Sequence, residues 1–319
     1  MSSVVPERPF APSIAPILLV VLGPTGAGKS DLALYLAREL DGEIVNCDSV
    51  QVYQNLDIGS AKVPIEARSG IPHHLIDVIP PTGELTAGAY AALARRALAE
   101  IAGRGKLPIV AGGTGFYLRA LLDGLSPAPI RNTQLRARLK RLAERRPGAL
   151  HRFLRTRDKE AARRIHANDR QKLIRAIELS LSLQGLPRQP LTGFRILKIG
   201  LNPERRALYE RINRRSLEMF HSGLIEETRA LLAAGLQADS KALQVLGYKQ
   251  AVRAINGNLS VSDAARECQT KTRQYAKRQM TWFRAEPNVE WLTGFGNDPH
   301  IQLAALMLAQ SLHNFTLCA

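Results

Sequence analysis

The chain has 319 residues, enough for one large domain or two moderate ones, and 45% of them are hydrophobic, ample for a core. Its 44 basic against 28 acidic residues leave a net charge of +16, which favours a polyanionic partner, most often a nucleic acid, while an aromatic content of 5% argues against an aromatic-platform RNA binder. Three widely spaced cysteines (Cys47, Cys268, Cys318) without a Cys-x-x-Cys pair exclude a disulfide framework or a zinc site, and no apolar run approaches the length of a membrane span.

Pro6, Pro9, Pro12 and Pro16 predict a disordered leader over residues 1–15 rather than a signal peptide, and with the cysteine pattern they point to the cytoplasm. The apolar run Ile17 to Leu22 then leads into Gly23-Pro24-Thr25-Gly26-Ala27-Gly28-Lys29-Ser30 and a helical stretch, Lys29–Leu40. This is the G-x-x-x-x-G-K-[ST] phosphate loop in the context it requires: a strand, a glycine turn, a helix N-terminus. Glycines let backbone N–H groups converge on phosphate oxygens, and the helix dipole adds positive potential at the same place. Lys29 is expected to reach the outer phosphate and the Ser30 hydroxyl to sit on a bound Mg²⁺. The loop predicts a bound di- or triphosphate and leaves open whether that group is transferred, hydrolysed or expelled.

Further strands are predicted at Glu43–Cys47, Leu75–Ile79 and Leu107–Ala111, with crossover helices at Lys29–Leu40 and Tyr90–Gly103, so the expected fold is α/β with a parallel sheet. The strand ending at Cys47 runs into Asp48-Ser49-Val50-Gln51-Val52-Tyr53. A side chain there points into the ligand crevice, which suits Asp48 to holding Mg²⁺, to acting as a general base, or simply to capping a helix. Asp57-Ile58-Gly59-Ser60-Ala61-Lys62 and Pro72-His73-His74-Leu75-Ile76-Asp77 follow. Adjacent histidines on a strand point opposite ways, so the pair reads as structural or as lining the substrate edge, not as a metal site. Gly112-Gly113-Thr114-Gly115 forms a second glycine turn before a helix at Phe116–Leu122.

Between Arg131 and Arg175 stand 16 basic and four acidic residues, so this stretch holds +12 of the total charge. Helices are predicted at Leu135–Arg146, Ala149–Arg155, Lys159–Ile165 and Arg170–Leu183, separated by Pro147-Gly148, Thr156-Arg157-Asp158 and Asn168-Asp169, with an exit at Gly185, Pro187 and Pro190. A strand at Ile196–Leu201 then resumes the core. Residues 126–191 therefore read as a basic helical insertion in a core formed by 16–125 and 192–319. From Pro203 the chain reads as largely helical, ending in a long helix from a Ser260/Asp263 capping box to about Arg284. On it Arg273, Lys277 and Arg284 share one stripe, with Tyr275 and Trp282 on the other side.

Together these motifs resemble the tRNA dimethylallyltransferases, or tRNA isopentenyltransferases. The phosphate loop, Asp-Ser-x-Gln-x-Tyr, Asp-Ile-Gly-Ser-Ala-Lys, Pro-His-His-Leu-Ile-Asp, Gly-Gly-Thr-Gly-Phe-Tyr-Leu, Asn168-Asp169, Gly247-Tyr248-Lys249-Gln250 and the Arg273–Arg284 helix occur in the family's order from about residue 17 to 292. The resemblance implies a P-loop NTPase-like core and transfer of a dimethylallyl group from its diphosphate to N6 of the adenosine just 3′ of the anticodon, in tRNAs reading codons that begin with U. It implies Asp48 as the catalytic base, with Thr25 and Arg215 as catalytic diphosphate contacts, residues 23–30 as the diphosphate cradle and Mg²⁺ as cofactor. Positions matching RNA contacts are Asp48, Ser49, Val50, Gln51, Thr114, Arg136, Gln171, Lys172, Arg175, Gln244, Gly247, Tyr248, Lys249, Lys277, Arg278, Gln279, Trp282 and Arg284. The implied partner is the tRNA anticodon arm, clamped by the basic insertion of a monomer. Lys172 stands where the family often has Arg, Ala167 where it has Pro, and Ser30 where Thr is frequent.

Three rivals use the same loop. A small-molecule or nucleoside kinase would consume ATP and have no use for the basic insertion. An AMP-prenylating enzyme would not need it either. An RNA-binding NTPase without transferase activity would tolerate loss of Asp48.

Overall fold

The computed structural model describes residues 15–125, 132–181 and 188–314. The expected leader, apart from Ala15, lies outside them, as do Leu183, Gly185 and Pro187. The elements in chain order are β1 (Ile17–Leu22), α1 (Lys29–Glu39), β2 (Gly42–Asn46), β3 (His73–His74), α2 (Ala87–Gly103), β4 (Leu107–Ala111), α3 (Gly115–Leu122), α4 (Thr133–Arg145), α5 (Ala149–Arg157), α6 (Lys159–Arg164), α7 (Arg170–Leu181), β5 (Arg195–Leu201), α8 (Arg205–His221), α9 (Leu224–Ala233), α10 (Tyr248–Ile255), α11 (Val261–Phe283), β6 (Val289–Leu292) and α12 (Pro299–Asn314).

All six strands are parallel, in the order β3-β2-β4-β1-β5-β6. Every residue of β1 and β2 is buried, as expected of parallel strands covered on both faces. α1 presents Leu32, Ala33, Leu36 and Ala37 to the sheet, where they meet Ile301, Ala305 and Ala309 of α12 in the same apolar cluster. Full burial of each such leucine is worth roughly 2 kcal/mol of apolar area. A second cluster joins Val52, Tyr53 and Leu56 to α9, α10 and α11.

The register sets the site. Val21 of β1 and Asn46 of β2 both lie opposite Ala111 of β4, which runs between them. Two residues further along each strand are Gly23, Asp48 and Gly113, so the phosphate loop, the candidate base and the second glycine turn leave the sheet at one level.

Two expectations are corrected. The strand predicted at 75–79 is instead the two-residue β3, with only an isolated bridge from Tyr53 to Ile79. Leu75 and Asp77 have φ of 62° and 57°, left-handed values that interrupt an extended run. β6 falls in a region read as helical; it is too short, at four residues, to show a period.

The described residues form two compact units, one of 15–122 and 191–314 and the other within 123–190. The second is a four-helix body, α4–α7, around Leu139, Leu150, Leu154, Leu173 and Ile177. Inside it the carboxylate of Glu178, 4% exposed, takes both prongs of Arg136 at 2.7 Å and NH1 of Arg175 at 3.1 Å.

Candidate active site

The phosphate loop turns on positive-φ glycines: Gly23 at 147°, Gly26 at 84° and Gly28 at 85°. At Gly28 a Cβ would come within 2.7 Å of the Gly296 backbone, which packs behind the loop and donates its N–H to Ala27 O at 2.9 Å. Gly28 ends the loop with no side chain capping α1, which leaves the first N–H groups of that helix for an anion. Lys29 curls back, its Nζ donating to Pro24 O at 2.9 Å. Burial, only partly offset by the Asp48 charge, lowers its pKa from 10.5 to about 8.

Thr25 is held at both ends. Its N–H donates to Gln279 Oε1 at 2.8 Å, and its hydroxyl accepts from Arg215 NH2 of α8 at 2.5 Å. Burial first, and then Arg211 one turn away, pushes the Arg215 guanidinium down from its ordinary value. Arg211 stacks 4.9 Å over Phe295 and binds Asn297. These cations line a cavity of about 750 Å³ together with Thr25, Lys29, Ser30 and Asp48. Cations held in a partly desolvated cleft are a site that favours a polyanion.

Asp48 faces the same cavity across the glycine turns. Its Oδ1 accepts from Val50 N at 2.8 Å and Gln51 N at 3.4 Å, capping a turn and not a helix, while Oδ2 has no protein partner among the described residues. Thr114 ties this turn to β4: its N–H donates to Cys47 O at 3.1 Å and its hydroxyl accepts from Ser49 N at 2.9 Å. Cys47 itself is buried, its thiol pushed up to about 12 by desolvation, which disfavours the thiolate.

The remaining positions matched to RNA contacts divide by exposure. Ser49, Val50, Gln51, Gln244 and Arg278 line the cavity, and Lys249, Lys277 and Arg284 are exposed. Gly247, Tyr248 and Gln279 are buried, with polar atoms bonded inside the protein: Gly247 N–H to Gln250 Oε1, and the Tyr248 hydroxyl to Glu227. Trp282 covers Gly115, with Arg119 stacked 4.6 Å over its ring. In the four-helix unit Arg136 and Arg175 share Glu178, Lys172 pairs with Asp169 at 2.8 Å, and Gln171 is exposed.

The motifs at 57–62 and 72–77 meet at Lys62. Its nearly buried ammonium donates to Tyr53 O at 2.6 Å, Asp57 at 2.7 Å and Asp77 at 2.5 Å, fixing the loop that walls the cavity. His74 binds the buried Glu43 at 2.6 Å beside Arg104, a structural use of that histidine. The sequence carries no signal for Arg211 beyond its position one turn before Arg215, and none for the two hydrogen bonds that Gln279 makes to Thr25 N–H and Gly113 O.

No group of three or more His, Cys, Asp or Glu side chains able to hold a metal occurs among the described residues. Ser30, exposed at the first turn of α1, offers a single hydroxyl. That donor set fits Mg²⁺, which commonly takes one or two protein oxygens and completes its shell with phosphate oxygens and water.

A parallel sheet, a phosphate loop at its centre and a carboxylate facing that loop across one cavity define a phosphate-loop protein built to handle a phosphorylated ligand beside an acid–base group. Similarity to known proteins narrows this class. The family model described as IPP transferase matches residues 51–286. A tRNA dimethylallyltransferase of Koribacter versatilis is 55% identical over 304 residues, 93% of this chain and 99% of that protein. The crystal structure of a full-length tRNA isopentenylpyrophosphate transferase from Bacillus halodurans superposes with a TM-score of 0.69 at 36% identity, covering 94% of this chain and 95% of the other. A eukaryotic dimethylallyltransferase crystallised acting on tRNA shares the fold, with a TM-score of 0.79 at 24% identity over 94% of this chain and 80% of its own. The chain belongs to the IPP transferase family, the tRNA dimethylallyltransferases.

Proposed function

We propose that this enzyme transfers the dimethylallyl group of dimethylallyl diphosphate to N6 of the adenosine 3′-adjacent to the anticodon, in tRNAs reading codons that begin with U. The observation that carries the reading is one cavity lined both by a diphosphate cradle and by a carboxylate with a free oxygen, in a chain of this family.

The exocyclic amine is a weak nucleophile because its lone pair is delocalised into the purine. As the N6–C1 bond forms and the C1–O bond to diphosphate breaks, Asp48 Oδ2 takes the N6 proton, and Oδ1 stays fixed by Val50 N–H. Charge appearing on the leaving diphosphate is met by the first N–H groups of α1, Lys29, Arg215 and the Thr25 hydroxyl. Mg²⁺ held by Ser30 would supply further charge neutralisation on the diphosphate when bound. The adenosine must be turned out of the anticodon stack to reach the cavity. The basic four-helix unit, with Arg136, Gln171, Lys172 and Arg175, would take the anticodon arm, and Lys249, Lys277 and Arg284 would meet further phosphates. No helix among the described residues is long and apolar enough to cross a membrane.

Incubation of unmodified tRNA with the protein, Mg²⁺ and dimethylallyl diphosphate, followed by nucleoside mass spectrometry, tests the reading. Isopentenyladenosine next to the anticodon is expected. Consumption of ATP with unaltered adenosine would replace this reading with a kinase or an NTPase.

A further inference from the structure

Gln279 sits 6% exposed on α11, 254 positions after Thr25, and spans the phosphate loop and the second glycine turn, which leave neighbouring strands tied at their base by Gly112 N–H to Val21 O at 3.3 Å. Its Oε1 accepts the Thr25 N–H at 2.8 Å, and its Nε2 donates to Gly113 O at 2.8 Å. Because one neighbour can only donate and the other can only accept, a single orientation of the amide satisfies both. Gly113 is itself shaped for this contact: a Cβ there would lie 2.4 Å from Nε2, with Lys29 Nζ at 3.6 Å.

The two loops have different duties. Thr25 belongs to the cradle. Gly113 adjoins Thr114, whose hydroxyl takes the Ser49 N–H, and Ser49 follows Asp48. A continuous path therefore runs from Thr25 through the Gln279 amide to Gly113, Thr114, Ser49 and Asp48. The Thr25 N–H is committed to this path.

We propose that Gln279 is a positioning residue that sets the distance between the leaving-group cradle and the proton-accepting carboxylate, and does not act by touching RNA. The proposal rests on the function proposed above for the reaction itself. The Gln279 side chain is a rigid two-ended spacer: shortening it lets the loops drift apart, and a carboxylate in its place keeps the Thr25 bond but opposes Gly113 O with like partial charge. A misplacement of about 1 Å at a reacting centre costs on the order of 100-fold in rate.

The test uses the full-length protein and the variants Gln279→Ala and Gln279→Glu. Three quantities are measured: tRNA dissociation constant, single-turnover rate with amplitude at saturating tRNA and dimethylallyl diphosphate, and pyrophosphate affinity by calorimetry. Positioning predicts a single-turnover rate reduced roughly 30-fold or more, full amplitude, tRNA affinity within about twofold of wild type, and pyrophosphate binding about tenfold weaker in the alanine variant, since the loop must then be ordered on binding. A wild-type rate at saturation with tRNA affinity weakened would make Gln279 an RNA contact and overturn the proposal. A wild-type rate with reduced amplitude would leave it a folding residue and overturn it equally. Should wild-type protein make no prenylated adenosine, the reaction assignment falls by itself, and the pyrophosphate measurement still decides the brace: unchanged affinity in Gln279→Ala rejects it.

Discussion

Arg215 NH2 donates to Thr25 Oγ1 at 2.5 Å, joining α8 to the phosphate loop across 190 positions. Arg215 thus meets the cradle before any ligand arrives, and its charge is already partly desolvated. Arg215→Gln is expected to lower kcat/KM for dimethylallyl diphosphate about 100-fold, in the range that loss of one donor to a developing anion costs. Thr25→Ala made in that background should add much less than it does alone, because the pair acts as a unit. Steady-state kinetics over the four-protein cycle measure the coupling.

Asp48→Asn separates the two oxygens of this side chain. The amide oxygen still accepts from Val50 N–H, so the turn and the tRNA affinity should survive. Proton acceptance is lost, and kcat should fall by roughly 100- to 10,000-fold. Filter binding with tRNA and single-turnover rates, measured on one preparation, check both halves.

Lys29 gives a pH signature. In the ligand-free protein its pKa is about 8, so a bound diphosphate must draw a proton onto it in mildly alkaline solution. Affinity for dimethylallyl diphosphate should be flat below pH 7.5 and weaken by up to about tenfold per unit above pH 8. Calorimetry at pH 8.5 in two buffers of different ionisation enthalpy should register proton uptake. Lys29→Arg, which keeps the charge throughout, should abolish both effects. The stability of the ligand-free protein carries the opposite sign: its unfolded chain binds more protons between about 8 and the ordinary 10.5, so this group adds stability as pH rises through that window.

Glu178 makes the four-helix unit sensitive to acid. Hydrogen bonding from Arg136, and more weakly from Arg175, holds its carboxyl below the ordinary value of 4.5. The associated stability is complete above that value and is lost as pH falls through the lower, folded one. Glu178→Gln should cost about 2 kcal/mol, the scale of hydrogen bonds to a charged group. Thermal melts between pH 3 and 7 should show the gap between wild type and variant narrowing as pH falls, while Glu43 and Glu267, also held below their ordinary values, give both proteins a shared acid decline.

The fold was legible where local chemistry and tertiary packing agree. Ile17–Leu22 and Leu107–Ala111 are continuous apolar runs and form strands with those same boundaries. Ser260 caps α11, its oxygen accepting Asp263 N–H at 3.1 Å as the capping box predicts. The apolar Leu75, Ile76, Val78 and Ile79 suit a strand, yet Asp77 takes a left-handed φ and its carboxylate pairs with Lys62, a contact invisible to periodicity. In the site, the glycine loop and Asp48 could be read because their residue types carry their chemistry. Gln279 could not, since a lone glutamine on a basic helix carries no sign of the two loops it will join.

Gly296 closes the rear of the phosphate cradle, and Gly28 leaves no room for a side chain between them. The motif that most plainly declares this protein's business is thus made on the ribosome well before its backing wall. A nascent chain that has emerged only as far as β5 carries the signature but lacks the wall, along with Arg215 and the α11 brace. Such partial products would be poor competitors for the cell's pool of isoprenoid diphosphates.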